Sequence, residues 1–402
     1  MPMEAFIVDG IRTPFGSFGG SLSKVRTDDL AALVIRTLVE RNPQIPAEAY
    51  SDVILGCANQ AGEDNRNIAR MSLLLAGLPW SVPGETVNRL CSSGLSAINH
   101  ANRAIKAADG EVYISGGVEH MTRGPWVISK VSKPFGRDAK MYDSSFGWRF
   151  INPDMERLYG TESMGETAEN LAEKYQISRE DQDKFACWSQ QKATNSWENG
   201  RLAKEVVEVL VPQPKKAPVA FVQDEFVKPK TNMDVLSKLK PVFRPQGTVT
   251  AGNASGINDG AAATIIASEK AIEQYGLEPL ARIVSTGITG VEPRIMGIGP
   301  VSASNLALSK AGLSKDQMEI IELNEAFSSQ SLACIRQWEL DDDDPRINPN
   351  GGAIAIGHPL GATGTRLAYT AAIELQERAA KYALVTMCVG VGQGYAMVLE
   401  RA

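Results

Sequence analysis

The stretch Val87-Asn88-Arg89-Leu90-Cys91-Ser92-Ser93-Gly94 begins the part of the chain that decides its fold. Apolar side chains recur at helical spacing after it and predict a helix from residue 92 to about residue 108. Residues 112–117 then form a predicted buried strand that ends in glycines. Because strands alternate with helices here, the pattern indicates βαβ units in an α/β fold with a mainly parallel sheet.

A second stretch near the C-terminus repeats this order of elements. Asn350-Gly351-Gly352-Ala353-Ile354-Ala355-Ile356-Gly357-His358-Pro359-Leu360-Gly361 is a glycine-rich turn. A helix is predicted from residue 363 to residue 379, and a strand over residues 383–387 ends at Cys388-Val389-Gly390. The matching order predicts that the chain contains two related halves.

The region between the halves has a less regular periodicity and many proline, lysine, tryptophan and phenylalanine residues. Two helices are predicted within it, at residues 165–175 and 178–197. We therefore predict an N-terminal half over residues 1–120, which also includes a later segment of the chain at about residues 254–275. An inserted loop domain is predicted over residues 121–253, and a C-terminal half over residues 276–402.

Composition limits the class of protein. Of the 402 residues, 43% are hydrophobic and 22% are charged, which is typical of a soluble globular chain. The formal net charge of −6 argues against nucleic-acid binding. No targeting leader or membrane-spanning run is recognised, and the five cysteines form no C-x-x-C pair. We expect free thiols, no metal site and a cytoplasmic location.

Cys91 and His358 are the first candidates for chemistry. A cysteine at a helix N-terminus meets free N–H groups and a partial positive charge, which lower the pKa of the thiol and favour a nucleophilic thiolate. The rigid glycine and proline turn around His358 aims an imidazole that can accept the thiol proton. The alternatives are a buried structural cysteine and a polar loop histidine. His100 and His120 are interpreted as structural.

Three further motifs carry candidate residues. Cys388 is a second thiol that can transfer a proton, and its alternative is a small buried residue. Asn324, after the predicted strand 320–323, can hold a water in an oxyanion site, and its alternative is a helix cap. The small residues of the stretch 250–260 let a ligand approach the backbone, although such a stretch also suits a simple turn.

Taken together, these motifs resemble the thiolase family of acyl-CoA acyltransferases. The resemblance extends from Asp9-Gly10-Ile11-Arg12-Thr13-Pro14-Phe15-Gly16 to Gly394. It implies the thiolase fold, an α/β fold in which two related βαβαβαββ halves are stacked in α-β-α-β-α layers with an inserted loop domain.

The resemblance also implies a role for each residue. Cys91 matches the nucleophile, His358 the group that activates it, and Cys388 the acid/base. Asn324 matches the residue that holds a water in one oxyanion hole, and the N–H groups of Cys91 and Gly390 match a second hole. The remaining matches are to positions around the substrate and coenzyme A: Ala251, Gly252, Ser255, Met164, Phe243, Ala326, Phe327 and Lys228.

The implied reaction is the CoA-dependent cleavage of a 3-ketoacyl-CoA to acetyl-CoA and a shortened acyl-CoA, reversible as a Claisen condensation. Coenzyme A is then a substrate, no cofactor is permanently bound, and the family suggests a homodimer or homotetramer. Biosynthetic acetoacetyl-CoA thiolases have a histidine where this chain has Ser163, which argues against that role. Gly147-Trp148-Arg149-Phe150 and other stretches resemble 3-oxoadipyl-CoA thiolases of aromatic degradation, so 3-oxoadipyl-CoA or a medium-chain 3-ketoacyl-CoA is the expected substrate.

Three alternatives stay open at this point. They are a biosynthetic acetoacetyl-CoA thiolase, a non-catalytic acyl-CoA-binding protein of the same fold, and a nicotinamide oxidoreductase. The last lacks the dinucleotide fingerprint, because the spacing of Gly390-Val391-Gly392-Gln393-Gly394 is wrong and no helix follows it.

Overall fold

The computed structural model describes residues 3–402, and its largest feature is one sheet of ten strands. The strands are β1 (Ala5–Arg12), β2 (Gly16–Ser17), β3 (Asp52–Gly56), β4 (Gly84–Val87), β5 (Val112–His120), β6 (Trp126–Ile128), β7 (Met141–Asp143), β8 (Val209–Gln213), β9 (Lys216–Phe221), β10 (Asn258–Ser268), β11 (Ala281–Gly290), β12 (Ile320–Leu323), β13 (Tyr382–Val389) and β14 (Gln393–Arg401). The helices are α1 (Thr27–Arg41), α2 (Ile68–Ala76), α3 (Ser93–Lys106), α4 (Pro153–Tyr159), α5 (Met164–Lys174), α6 (Arg179–Glu198), α7 (Met233–Leu236), α8 (Glu269–Tyr275), α9 (Gly299–Ala311), α10 (Ser328–Gln337), α11 (Ala353–Ile356) and α12 (Leu360–Glu377). Within residues 3–402, no helix is long and apolar enough to cross a bilayer.

The two halves of the sheet have the same strand order. In the N-terminal half the order is β4-β3-β5-β10-β1, and in the C-terminal half it is β12-β13-β14-β11. The four strands of the C-terminal half correspond, in this order, to β3, β5, β10 and β1. Where β4 would lie in the second half, Ile347 forms a parallel bridge to Ile321 of β12. The halves meet where two residues of β1 pair with β11. The predicted relation between the halves is therefore confirmed.

Three apolar cores separate the layers. One packs α1 and α2 against the N-terminal part of the sheet, and another packs α9 and α10 against the C-terminal part. The central core surrounds α3 and α12 and receives side chains from both parts of the sheet. Along β14, Tyr395 and Met397 enter the central core, whereas Ala396 enters the outer core of the C-terminal half, which contains α9 and α10. Side chains alternate between the two faces of a strand in this way. This arrangement is the predicted five-layer stack.

The prediction of a mainly parallel sheet is wrong. Only the pairs β3–β4, β3–β5 and β12–β13 are parallel, whereas β10 and β14 pair antiparallel with both of their neighbours. β14 follows β13 after a short turn, and strands joined in this way pair antiparallel. β10 had no predicted counterpart because it is rich in alanine, which has a low strand propensity.

The region between the halves packs on both of them. Side chains of α5 and α6 enter the outer core of the C-terminal half, and β8 contributes Val209 and Val211 to the outer core of the N-terminal half. The two helices predicted here are observed within one residue of the expected bounds. The start of α5 and the loops before β10 thereby reach the junction of the halves, where the candidate site lies.

Candidate active site

Cys91 lies in a 3-10 turn, Leu90–Ser92, that leads directly into α3. Leu90 has a left-handed backbone with φ of 45°, a conformation that is uncommon for a leucine. The turn packs against α12 and β13, and the backbone N–H of Gly390 donates a hydrogen bond to the Cys91 sulfur. Cys91 is therefore enclosed by elements of both halves, with 9% of its surface exposed.

The expected lowering of the Cys91 pKa is not observed. Burial raises the pKa of the thiol to about 11, because removal from water disfavours the thiolate. The N–H groups of Gly390 and of Cys91 itself act in the opposite direction but do not outweigh burial. Cys91 is thus a neutral thiol at neutral pH, and a base must remove its proton before it can act as a nucleophile.

The hydrogen bonds of His358 determine its tautomer. Nδ1 lies 2.7 Å from Oγ1 of Thr363, and the hydroxyl of Thr363 donates its one hydrogen to the carbonyl of Pro359 at 2.8 Å. Thr363 can only accept from the ring, so Nδ1 carries the proton. Nε2 then has a free lone pair and can accept a proton.

Nε2 of His358 faces the amide of Asn324, whose Nδ2 is 3.4 Å away. Burial, and next the positive charge of Arg366, lower the pKa of His358 to about 3, so the ring is neutral across the physiological range. Asn324 is fully buried, and its Oδ1 has no hydrogen-bond partner within residues 3–402. Asn258 fixes the turn itself, because its Oδ1 accepts from the backbone N–H of His358 at 2.9 Å.

Replacing Thr363 with valine removes the acceptor that holds Nδ1–H. We expect the activity to fall roughly 10- to 100-fold, since a small misplacement of a reacting group costs about this much. Thr363→Ser keeps the hydroxyl and should restore most of the activity. Thr365→Val is the matched control, because Thr365 is buried on the same helix and its Oγ1 has no partner in the described chain. Equal losses for both valine variants in a steady-state assay would refute this positioning role.

Cys388 lies at the end of β13 and is completely buried. Burial raises the pKa of its thiol well above the ordinary value, and the nearby Cys91 adds to the shift. A neutral thiol at this place can donate a proton. The apolar side chains around it are those of Met164, Met296, Ala326 and Phe327.

Most of the predicted ligand-binding residues lie around this cluster. The rings of Phe243 and Phe327 meet edge to face with centroids 6.4 Å apart. The N–H of Ser255 donates to the carbonyl of Ala326 at 3.0 Å, and Ala254 forms a bridge with Phe327. The stretch 250–260 and the start of α10 are therefore held together next to Cys388.

Three predicted positions lie further out. Ala251 is exposed, and a β-carbon on Gly252 would lie 2.5 Å from the ends of the Leu236 and Leu239 side chains, which would have to move. Lys228 is exposed and places Nζ 4.5 Å above the ring of Phe226, which itself packs on Gly256. No hydrogen bond or ion pair among residues 3–402 joins Lys228 to the cysteines or to His358.

The sequence analysis did not identify Glu119. This buried carboxylate accepts hydrogen bonds from the backbone N–H groups of Ala58, Asn59 and Gly361, and so ties the His358 turn to the N-terminal half. Burial raises its pKa to about 7. Cys57 and Asp64 lie beside it, but Cys57 donates to the carbonyl of Asn59 and burial raises the pKa of its thiol. Hydrogen bonds of the chain thus account for this acidic group.

The chain is similar to known proteins over nearly its whole length. The sequence matches the family described as "Thiolase, N-terminal domain" over residues 5–270 and that described as "Thiolase, C-terminal domain" over residues 277–401. It is 58% identical over 398 residues to the 3-oxoadipyl-CoA/3-oxo-5,6-dehydrosuberyl-CoA thiolase of Escherichia coli (strain K12), with 99% of each chain covered. A beta-ketoadipyl-CoA thiolase of Acinetobacter baylyi is 55% identical over 398 residues, again with 99% of each chain covered. The crystal structure of human mitochondrial 3-ketoacyl-CoA thiolase in complex with CoA has a TM-score of 0.91 and 40% identity, covering 100% of this chain and 98% of that chain.

Proposed function

Since the chain belongs to the thiolase family, we propose that it cleaves 3-oxoadipyl-CoA with coenzyme A to give succinyl-CoA and acetyl-CoA. The observation that carries this proposal is a buried neutral thiol, Cys91, which lies near a second neutral thiol, Cys388. The neutral imidazole of His358 contacts Asn324, which follows β12, the strand that pairs with β13. The chain is an acyltransferase, and its relatives are named for 3-oxoadipyl-CoA or beta-ketoadipyl-CoA.

The first half-reaction starts from a neutral thiol and a neutral imidazole. Nε2 of His358 accepts the proton of Cys91, and the thiolate attacks the carbonyl carbon C3 of the substrate. The C2–C3 bond breaks, and its electron pair passes to the acetyl-CoA fragment. Cys388 donates its proton to that carbon, which leaves a succinyl group on Cys91.

Two sites stabilise the oxygens that become negative. The N–H groups of Cys91 and Gly390 approach the reacting carbonyl, and one donor of this kind is worth on the order of 3 kcal/mol. Once protonated, Nε2 of His358 donates to the thioester oxygen of the acetyl-CoA fragment together with a water held by Asn324. The unpartnered Oδ1 of Asn324 supports this second site.

The second half-reaction returns the enzyme to its starting state. The thiol of coenzyme A gives its proton to the Cys388 thiolate and attacks the acyl carbon. The Cys91 sulfur leaves and takes back the proton held by His358. The same steps in reverse condense two acyl-CoA molecules, so the direction depends on concentrations rather than on the site.

A thiolysis assay tests the proposal. Purified protein with coenzyme A and 3-oxoadipyl-CoA should consume the enolate absorbance of the substrate and release acetyl-CoA and succinyl-CoA. A preference for acetoacetyl-CoA by kcat/KM would instead favour the biosynthetic alternative, and binding without turnover would favour a non-catalytic acyl-CoA-binding protein.

We also propose a cytoplasmic location and a homodimer or homotetramer. Five free cysteines support a reducing compartment. Trp80 is 83% exposed, and it lies with Leu74 and Leu75 in the segment that leads to the edge strand β4. Exposed apolar side chains beside a sheet edge favour association with a second chain. Light scattering of the purified protein checks the number of chains.

A further inference from the structure

Arg149 is a half-buried cation without an anionic partner. Its Nη1 donates to the carbonyl of Ser144 at 3.1 Å, and its Nη2 donates to Oδ1 of Asn59 at 3.3 Å. Both acceptors are neutral, and no carboxylate of residues 3–402 forms an ion pair with this guanidinium. A guanidinium has five N–H donors, so Arg149 retains donors for another group.

Three other arginines have carboxylate partners. Arg123 pairs with Glu63, and Arg294 pairs with Glu162 at 3.1 Å. Arg26 also pairs with Glu63. Unlike these three, Arg149 has no ion pair in the described chain and is free to bind an anion from outside the protein.

Hydrogen bonds link Arg149 to the turn that carries Cys91. Arg149 bonds Asn59, while the adjacent carbonyl of Ala58 accepts from Asn88, whose Oδ1 in turn accepts from the N–H of Leu90. Leu90 immediately precedes Cys91 in the chain.

In addition, Nε1 of the neighbouring Trp148 donates to the carbonyl of Glu162 at 3.2 Å. Met164 follows Glu162 by two residues in the chain. Its sulfur lies 3.7 Å from the position that a β-carbon would take if Gly390 had one. Asn59 and Glu162 thus fasten the loop that carries Arg149 close to the segments that contain Leu90 and Met164, whose side chains lie next to Gly390.

We propose that Arg149 determines specificity by binding the distal carboxylate of a dicarboxylic 3-ketoacyl-CoA. This inference rests on the proposed function, because the substrate then leaves on Cys91 a succinyl group with its carboxylate two methylene carbons beyond the thioester. The planar guanidinium pairs with a carboxylate through two parallel hydrogen bonds. A substrate that ends in a methyl group leaves the cation unpaired and gains no such contact.

The test compares two substrates of equal length, 3-oxoadipyl-CoA and 3-oxohexanoyl-CoA, which carries a methyl group in place of the carboxylate. Arg149→Gln should lower kcat/KM for 3-oxoadipyl-CoA roughly 10- to 100-fold and leave that for 3-oxohexanoyl-CoA unchanged. Arg149→Lys keeps the charge and should retain an intermediate preference. Arg137→Gln is the matched control, because Arg137 is an exposed cation of the same loop region and has no ion pair in the described chain.

Each result separates this inference from the proposed function. If the wild-type protein cleaves neither substrate, the proposed function fails and the inference fails with it. If the wild type cleaves 3-oxoadipyl-CoA but Arg149→Gln changes neither value, or lowers both equally, only the inference is refuted. An equal loss would identify Arg149 as a residue that merely fastens the loop.

Discussion

Replacing Cys91 with serine is expected to lower kcat/KM for thiolysis by on the order of 10⁴-fold or more. Serine has nearly the same size, so the turn before α3 should remain intact. The serine hydroxyl has a far higher pKa than a thiol and therefore gives up its proton less readily. Burial at this position disfavours the anion further, as it does for Cys91 itself. Steady-state thiolysis at saturating coenzyme A measures the loss.

Cys187→Ser is the matched control for this variant. Cys187 is also a free thiol, but it lies half-buried on α6, away from the candidate site. We expect its substitution to leave the turnover unchanged. If Cys91→Ser kept wild-type turnover, Cys91 would not be the nucleophile.

Replacing His358 with asparagine should lower the activity about 10³- to 10⁴-fold near neutral pH, because it removes both a proton acceptor and an oxyanion donor. The pH dependence gives the sharper result. Without the imidazole, the reaction must draw on the small thiolate fraction of Cys91, whose pKa is about 11. As long as the pH is below this pKa, the thiolate fraction rises tenfold for each unit by which the pH increases. The rate of the variant should therefore also rise tenfold for each unit of increasing pH.

The wild-type protein should behave differently. His358 has a pKa of about 3 and stays neutral, so kcat/KM should not fall between about pH 8 and about pH 6, where an ordinary histidine becomes charged. His100→Asn is the control, since His100 is a half-exposed histidine near Glu85. A pH-independent His358→Asn variant, or a wild-type loss centred near the ordinary histidine pKa, would contradict the assignment of His358 as a neutral base.

The principal candidate residues were predictable because their signals are local. Cys91, His358 and Cys388 each lie in a glycine-rich turn next to a helix or strand, and all three are buried in the structure. The relation between the halves was likewise visible in the order of turn, helix and strand. The roles assigned to these residues stay predictions until the variants are measured.

The electrostatics of the site depend on packing that no local pattern reveals. One N–H group near the Cys91 sulfur is its own, and the other belongs to Gly390, far along the chain. The burial that raises the pKa of Cys91 arises where the turn packs against α12 and β13. Thr363, which fixes the His358 tautomer, is an ordinary helical threonine in the sequence. Glu119 on β5 fixes the His358 turn only in the folded chain, where the N–H of Gly361 donates to its carboxylate.

If Cys91 carries the acyl group, the acylated cysteine can be detected directly by mass spectrometry. The protein is mixed with 3-oxoadipyl-CoA in the absence of free coenzyme A, quenched in acid and digested with trypsin. Cleavage after Arg89 and Arg103 releases residues 90–103, in which Cys91 is the one cysteine. We expect mass spectrometry to find a single succinyl group on this peptide. An unmodified peptide, or a succinyl group on the peptide that contains Cys388, would show that Cys91 is not the acyl carrier.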